Sequence, residues 1–139
     1  MKNIWQENKY IDLWSLNHFL LGASFAGLAW YFKINFIVAL CIAVVLFIIW
    51  EYIEYYTKVG ESKTNQMSDI IVATIGFFIS YFVQTPLILS VVIMLFMILE
   101  TWGYLHKFIE KRGESPKYMP IFCIVAAFVY VLLYAIFII

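Results

Sequence analysis

The chain has 139 residues, 65% hydrophobic and 20% aromatic, with nine basic and nine acidic side chains that cancel; its mean hydropathy is +0.90. A soluble domain of this length needs far more charge on its surface than the 13% present here, so the composition predicts an integral membrane protein with no separate soluble domain. No Lys/Arg-rich stretch is long enough to form a phosphate-binding face, which excludes nucleic acid as a partner, and Cys41 and Cys123 stand singly in apolar runs, without disulfide or metal-ligand spacing.

In chain order, residues 1–14 read as an interfacial segment. They mix Lys2, Glu7 and Lys9 with Trp5, Tyr10 and Trp14, aromatic rings that suit the headgroup region, and they lack the apolar core and cleavage site of a signal peptide. A first span is predicted over 15–32, with Asn17 and His18 in its first turn and Gly22, Ser24 and Gly27 further along, small residues that let a neighbouring backbone approach. Lys33 and Asn35 mark a tight turn into a second span, 34–56, unbroken in its aliphatic character down to Trp50. The next loop is rich in Lys, Gly, Ser, Thr and Asn and leads to a third span, 67–84, which Asn65 or Ser68 can cap. Pro86, acceptable at a first helical position, opens a fourth span over 86–110. A hydrophilic linker with Gly113 and Pro116 then precedes a last span, 118–139, whose only ionisable side chains are tyrosines.

The predicted fold class is therefore all-α: a polytopic bundle of five transmembrane helices forming one domain. Five spans put the amino terminus and the loops after the second and fourth spans on one side, together with Lys2, Lys9, Lys58, Lys63, Lys107, Lys111, Arg112 and Lys117; only Lys33 lies opposite. Basic residues are retained on the cytoplasmic side, so the amino terminus is expected inside and the protein in the cell membrane as a multi-pass chain.

The same arrangement gathers Asp12, His18, Glu51, Glu54, Asn65, Asp69, Glu100 and His106 at the cytoplasmic boundary, from four different helices. Some have ordinary structural roles: Asp12 as a helix cap, His18 as a packed histidine, Asp69 as an anion in the first turn of its helix, where the dipole is favourable. Glu51 and Glu54 are harder to explain in that way. Three apart, they share a face near a helix C-terminus, where the dipole disfavours anions and each repels the other. They call for a cation, a lysine or a shared proton. Asn65 and Asp69 repeat the device four apart, followed at helical spacing by Ala73, Gly76 and Ser80. Glu100 ends an apolar run and is expected to face the bundle interior.

The motifs His18…Gly22, Trp50-Glu51-Tyr52-Ile53-Glu54 and Asn65-Gln66-Met67-Ser68-Asp69-Ile70, with Gly76-Phe77, resemble the pattern of a small uncharacterised bacterial membrane-protein family. They are also similar to VanZ-like proteins, which carry an early histidine, a glutamate ending one span and a D-x-x-x-N-x-x-G pattern opening the next. Ala73 stands where that pattern has its asparagine. The resemblance covers about residues 12–110 and implies glycopeptide resistance or no established activity.

Three readings follow. One is an enzyme acting on a lipid head group or lipid-linked precursor, with Glu51, Glu54, Asp69 and His18 as ligands of a divalent metal ion, His18 alternatively a general base, Asn65 a neutral donor and Glu100 a proton-relay carboxylate. Lys107, Lys111 and Arg112 would attract an anionic head group. Another is a non-catalytic accessory subunit, bound to partner membrane subunits, whose polar cluster only fixes packing. The last is an ion- or proton-coupled carrier, disfavoured because nothing polar is expected to continue through the outer half of any span.

Overall fold

The computed structural model describes residues 13–56 and 62–112; the side chains of Glu54, Tyr56, Tyr104 and 106–112 are not among those described. Expectations about the first twelve residues, the last span, Glu54, His106 and the basic side chains at 107–112 fall outside this set. The described residues form four α-helices and no strands: α1 (Leu13–Tyr31), α2 (Phe36–Tyr56), α3 (Lys63–Tyr81) and α4 (Pro86–Arg112).

Each boundary has a local cause. The end of α1 is closed by Ile34 N–H donating to Ala29 O at 2.9 Å and Lys33 N–H to Trp30 O at 3.1 Å. This is the reciprocal bonding of a Schellman motif, with Lys33 at φ 54 in the left-handed position that glycine usually fills. Asn35 then caps α2 by accepting from Ile37 N–H at 3.0 Å. Thr85 does the same for α4, accepting from Ile88 N–H at 3.2 Å, with Pro86 at the first helical position as predicted.

The third helix begins earlier than expected. Ser62 is its N-cap, accepting from Asn65 N–H at 3.2 Å, so neither Asn65 nor Ser68 caps it. The helix therefore starts at Lys63, and Asp69 sits in its second turn. The reading of Asp69 as a first-turn dipole anion is thereby corrected.

The core follows from four-residue spacing. On α2, Ala39, Ala43 and Phe47 are buried, and one further step reaches buried Glu51. On α3, Asn65, Asp69, Ala73 and Phe77 are buried at the same spacing. Rows four apart are ridges that slant slightly across a helix, and ridges of this kind interlock between neighbours. Polar residues thus enter the interior by extending an apolar ridge.

Helix α1 is central. It packs most extensively on α3 and next on α4, while α2 lies against α3 and touches α1; among the described residues the backbones of α2 and α4 do not come close. The close fit of α1 and α3 depends on glycine. A Cβ at Gly22 would collide with the backbone carbonyl of Ala73, and one at Gly76 with that of Phe19. Away from the polar end, Phe36 packs against Phe77, Phe78, Tyr81 and Phe82 with centroids 5.0–6.1 Å apart, and Tyr81 OH donates to Ile34 O at 2.8 Å.

Among the described residues, two helices carry windows long and apolar enough to cross a membrane, Phe36–Ile53 and Pro86–Gly103, and only 22% of each window is buried. A core helix of a soluble protein would be mostly buried. Their outward faces show Ile42, Val45, Ile49, Leu87, Leu95 and Ile98, all large and exposed.

Candidate metal centre

The polar residues of four helices meet at one end of the bundle. Ser15, Asn17 and His18 come from the start of α1, Glu51 from the end of α2, Asn65 and Asp69 from the start of α3, and Glu100 from α4. Because α1 and α3 run one way and α2 and α4 the other, these chain positions fall at the same level.

His18, Glu51 and Asp69 form the centre. All three are buried, at 6%, 5% and 0% exposure, and a ligand atom from each lies within 4.8 Å of the other two. The Nδ1 of His18 stands 3.4 Å from Glu51 Oε1. Two ligands each about 2.1 Å from a shared ion lie roughly 3.4 Å apart in tetrahedral geometry, so the His18–Glu51 pair already has a ligand-to-ligand spacing. The other two separations are no more than 4.8 Å. One imidazole nitrogen and two carboxylates make a donor set suited to a divalent ion such as Zn²⁺ or Mn²⁺.

Asp69 is held from both sides. Ser15 Oγ donates to Oδ1 at 2.6 Å and Asn65 Nδ2 to Oδ2 at 2.9 Å. A carboxylate offers about four lone-pair sites, and these two bonds use one on each oxygen to orient Asp69. Asn17 Nδ2 in turn donates to Glu100 Oε2. Since both amide nitrogens are spent on carboxylates, the amide oxygens are fixed as the opposite atoms. Asn17 Oδ1 and Asn65 Oδ1 are buried and have no hydrogen-bond partner among the described residues. A buried acceptor is satisfied by a donor or a cation.

Beside the centre lies a cavity of about 60 Å³ lined by Trp14, Asn17, His18, Leu21, Trp50, Phe96 and Glu100. His18 thus belongs to both centre and cavity. Glu100 faces the cavity, where it accepts from Asn17.

Of the residues expected to converge, His18, Glu51 and Asp69 meet and Asn65 bonds to Asp69, while Glu100 joins His18 only as a wall of the cavity. Two contributors were not anticipated: Ser15 as a donor to Asp69, and Asn17 as the partner of Glu100. Ser15, His18 and Gly22 stand at i, i+3 and i+7, so the signal for Ser15 was its place on the helix face that Gly22 presses against α3. The expectation that nothing polar continues toward the opposite end does not hold: Ser24, Ser80, Gln84 and Ser90 are buried there. A serine is inexpensive inside a helix, as Ser24 illustrates by donating to Leu20 O of its own helix at 2.8 Å. Comparison with protein-family models, with curated proteins and with solved structures gives no match, so the centre stands on its own geometry.

Proposed function

We propose that the protein is a multi-pass cell-membrane protein of five spans, amino terminus inside, whose His18, Glu51 and Asp69 hold a divalent cation and act on the head group of a lipid or lipid-linked substrate. The observation that carries this reading is the meeting of three buried ligand atoms from three helices within 4.8 Å. In a hydrocarbon surrounding, ionisable groups are costly and are kept where they pair or work. A bound ion would supply Lewis acidity toward a phosphoryl or carbonyl oxygen. The chain's own residues would do the rest: Ser15 and Asn65 orient Asp69, and Asn17 holds Glu100 against the cavity. Glu54, one turn beyond Glu51, is a further candidate ligand. The VanZ-like resemblance agrees with a role at the membrane boundary and proposes no particular reaction.

A second reading is favoured by the Ser15–Asp69–Asn65 bonds, since side chains that satisfy one another are what a packing device requires. In that case the protein is an accessory subunit of a membrane complex. Elemental analysis of protein purified from membranes without chelator separates the two. About one divalent ion per chain, lost in Glu51→Gln, is the expected result; protein free of metal at every stage, with Glu51→Gln unchanged, supports the packing device.

A further inference from the structure

The cavity beside the metal centre has a chemistry of its own. Its polar lining consists of Asn17, His18 and Glu100, and its apolar lining includes the indoles Trp14 and Trp50 and the ring of Phe96. Asn17 is 2% exposed, and its Oδ1 has no hydrogen-bond partner among the described residues. Its Nδ2 is committed to Glu100, so turning the amide over would replace one unmet need by two. The open atom is an acceptor, and it lies beside the Glu100 carboxylate, to which the same amide is bonded. Such a wall asks for N–H or O–H donors.

The aromatic rings narrow the choice further. Indole faces attract cations through the ring quadrupole, more strongly than phenyl faces do, and a cation next to Glu100 gains a charge-assisted hydrogen bond. A quaternary ammonium carries no N–H and would leave the open acceptor of Asn17 unmet, whereas a primary ammonium brings three donors. Trp50 is 42% exposed while lining the cavity, so one wall of the cavity is also the outer surface of the bundle, the side from which a lipid head group would enter.

We infer that the cavity formed by Trp14, Asn17, Trp50 and Glu100 binds the primary ammonium group of an amine-bearing ligand, with Asn17 Oδ1 and Glu100 accepting its N–H bonds and the indoles covering it. The inference rests on the reading of this end of the bundle as a site for a head group, and it names the substrate class: primary amines such as ethanolamine, as a lipid head group or as the free amine. Through His18, shared by cavity and centre, the ammonium anchors the ligand beside the metal ligands.

The test uses the full chain in detergent and in nanodiscs, always with and without EDTA. Ethanolamine is titrated against tryptophan fluorescence, with glycerol and choline as neutral and quaternary controls, and nanodiscs of phosphatidylethanolamine are compared with nanodiscs of phosphatidylglycerol. The expected result is saturable ethanolamine binding that exceeds glycerol and choline and falls at least about tenfold in Glu100→Gln, the scale of a hydrogen bond to a charged group. Trp50→Leu, a change at a partly exposed position that leaves the core intact, should weaken binding several-fold, and Trp50→Phe should recover part of it. Binding of the free amine marks a soluble source; a response only to phosphatidylethanolamine nanodiscs, still lost in Glu100→Gln, marks a lipid. Binding that survives in EDTA on a protein without metal would support this site while removing the metal reading. A metal-loaded protein on which ethanolamine and phosphatidylethanolamine act no differently from glycerol and phosphatidylglycerol, or on which Trp50→Leu and Glu100→Gln bind as wild type, would overturn it.

Discussion

The α1/α3 pair and the α2/α4 pair solve opposite problems with different residues. The outer helices α2 and α4 are aliphatic and mostly exposed, and they alone among the described helices are apolar enough to be recognised as spans from composition. The inner pair buries alanines, glycines, serines, Asn65 and Asp69. Hydropathy therefore marks the helices that face outward, whereas the helices that build the centre are marked by small residues that let backbones meet. A reading that followed hydropathy alone would have set aside the two helices that carry His18 and Asp69.

The contrast is broken most severely at the inner seam. In an exposed helix Gly→Ala gains about 0.5–1 kcal/mol, but at Gly22 and Gly76 the added methyl meets backbone carbonyls, which cannot rotate away. Gly22→Ala and Gly76→Ala should each lose about 3 kcal/mol, at the upper end of overpacking costs, as measured by unfolding in mixed micelles. A gain in stability at either would show that α1 and α3 do not touch as described.

The outer faces are probed by charge. Val45 lies near the middle of the Phe36–Ile53 window and is 54% exposed. Val45→Arg should cost roughly 2.5–3.5 kcal/mol of membrane insertion, read as a lower inserted fraction in a glycosylation-mapping assay. A protein in water would tolerate that arginine, so an unchanged inserted fraction would contradict the outward-facing assignment. A smaller effect is expected at Gly27, where a Cβ would meet the side chains of Leu89 and Gln84 rather than backbone. Side chains can repack, so Gly27→Ala should cost about 1 kcal/mol, well below the two seam glycines.

Much of this arrangement was legible in the chain. The four-residue steps from Ala39 to Glu51 and from Asn65 to Phe77 show which polar residues share a ridge with the core, and the alternation of helix direction brings those ridges to one end. The start of α3 was not legible. Ser62-Lys63-Thr64 reads as loop by composition, and only the bond from Asn65 N–H to Ser62 Oγ shows that the helix has begun. That earlier start removes the dipole account of Asp69 and leaves its other reading, a ligand candidate, now held by two donors. Asn17 was visible as a polar residue in the first turn of α1, but its pairing with Glu100, 83 positions away, depends on how α4 lies against α1. No local spacing contains that.

The central claim is that Asp69 and Glu51 serve a cation. Asp69→Asn is the sharpest probe because the fold can absorb it: Ser15 can still donate to an amide oxygen, and Asn65 can turn over to present its open Oδ1 to the new amide nitrogen. The measurement is thermal unfolding of wild type, Asp69→Asn and Glu51→Gln, stripped with chelator and then returned to Zn²⁺, Mn²⁺ or Mg²⁺. At a hundredfold excess over its dissociation constant, a bound ion stabilises the folded state by about 2.7 kcal/mol. The account predicts that one of these ions raises the melting temperature of wild type, while both variants melt close to stripped wild type and fail to respond. A wild-type melting temperature that no ion alters, together with unfolding of the variants, would contradict it and leave the cluster a packing device.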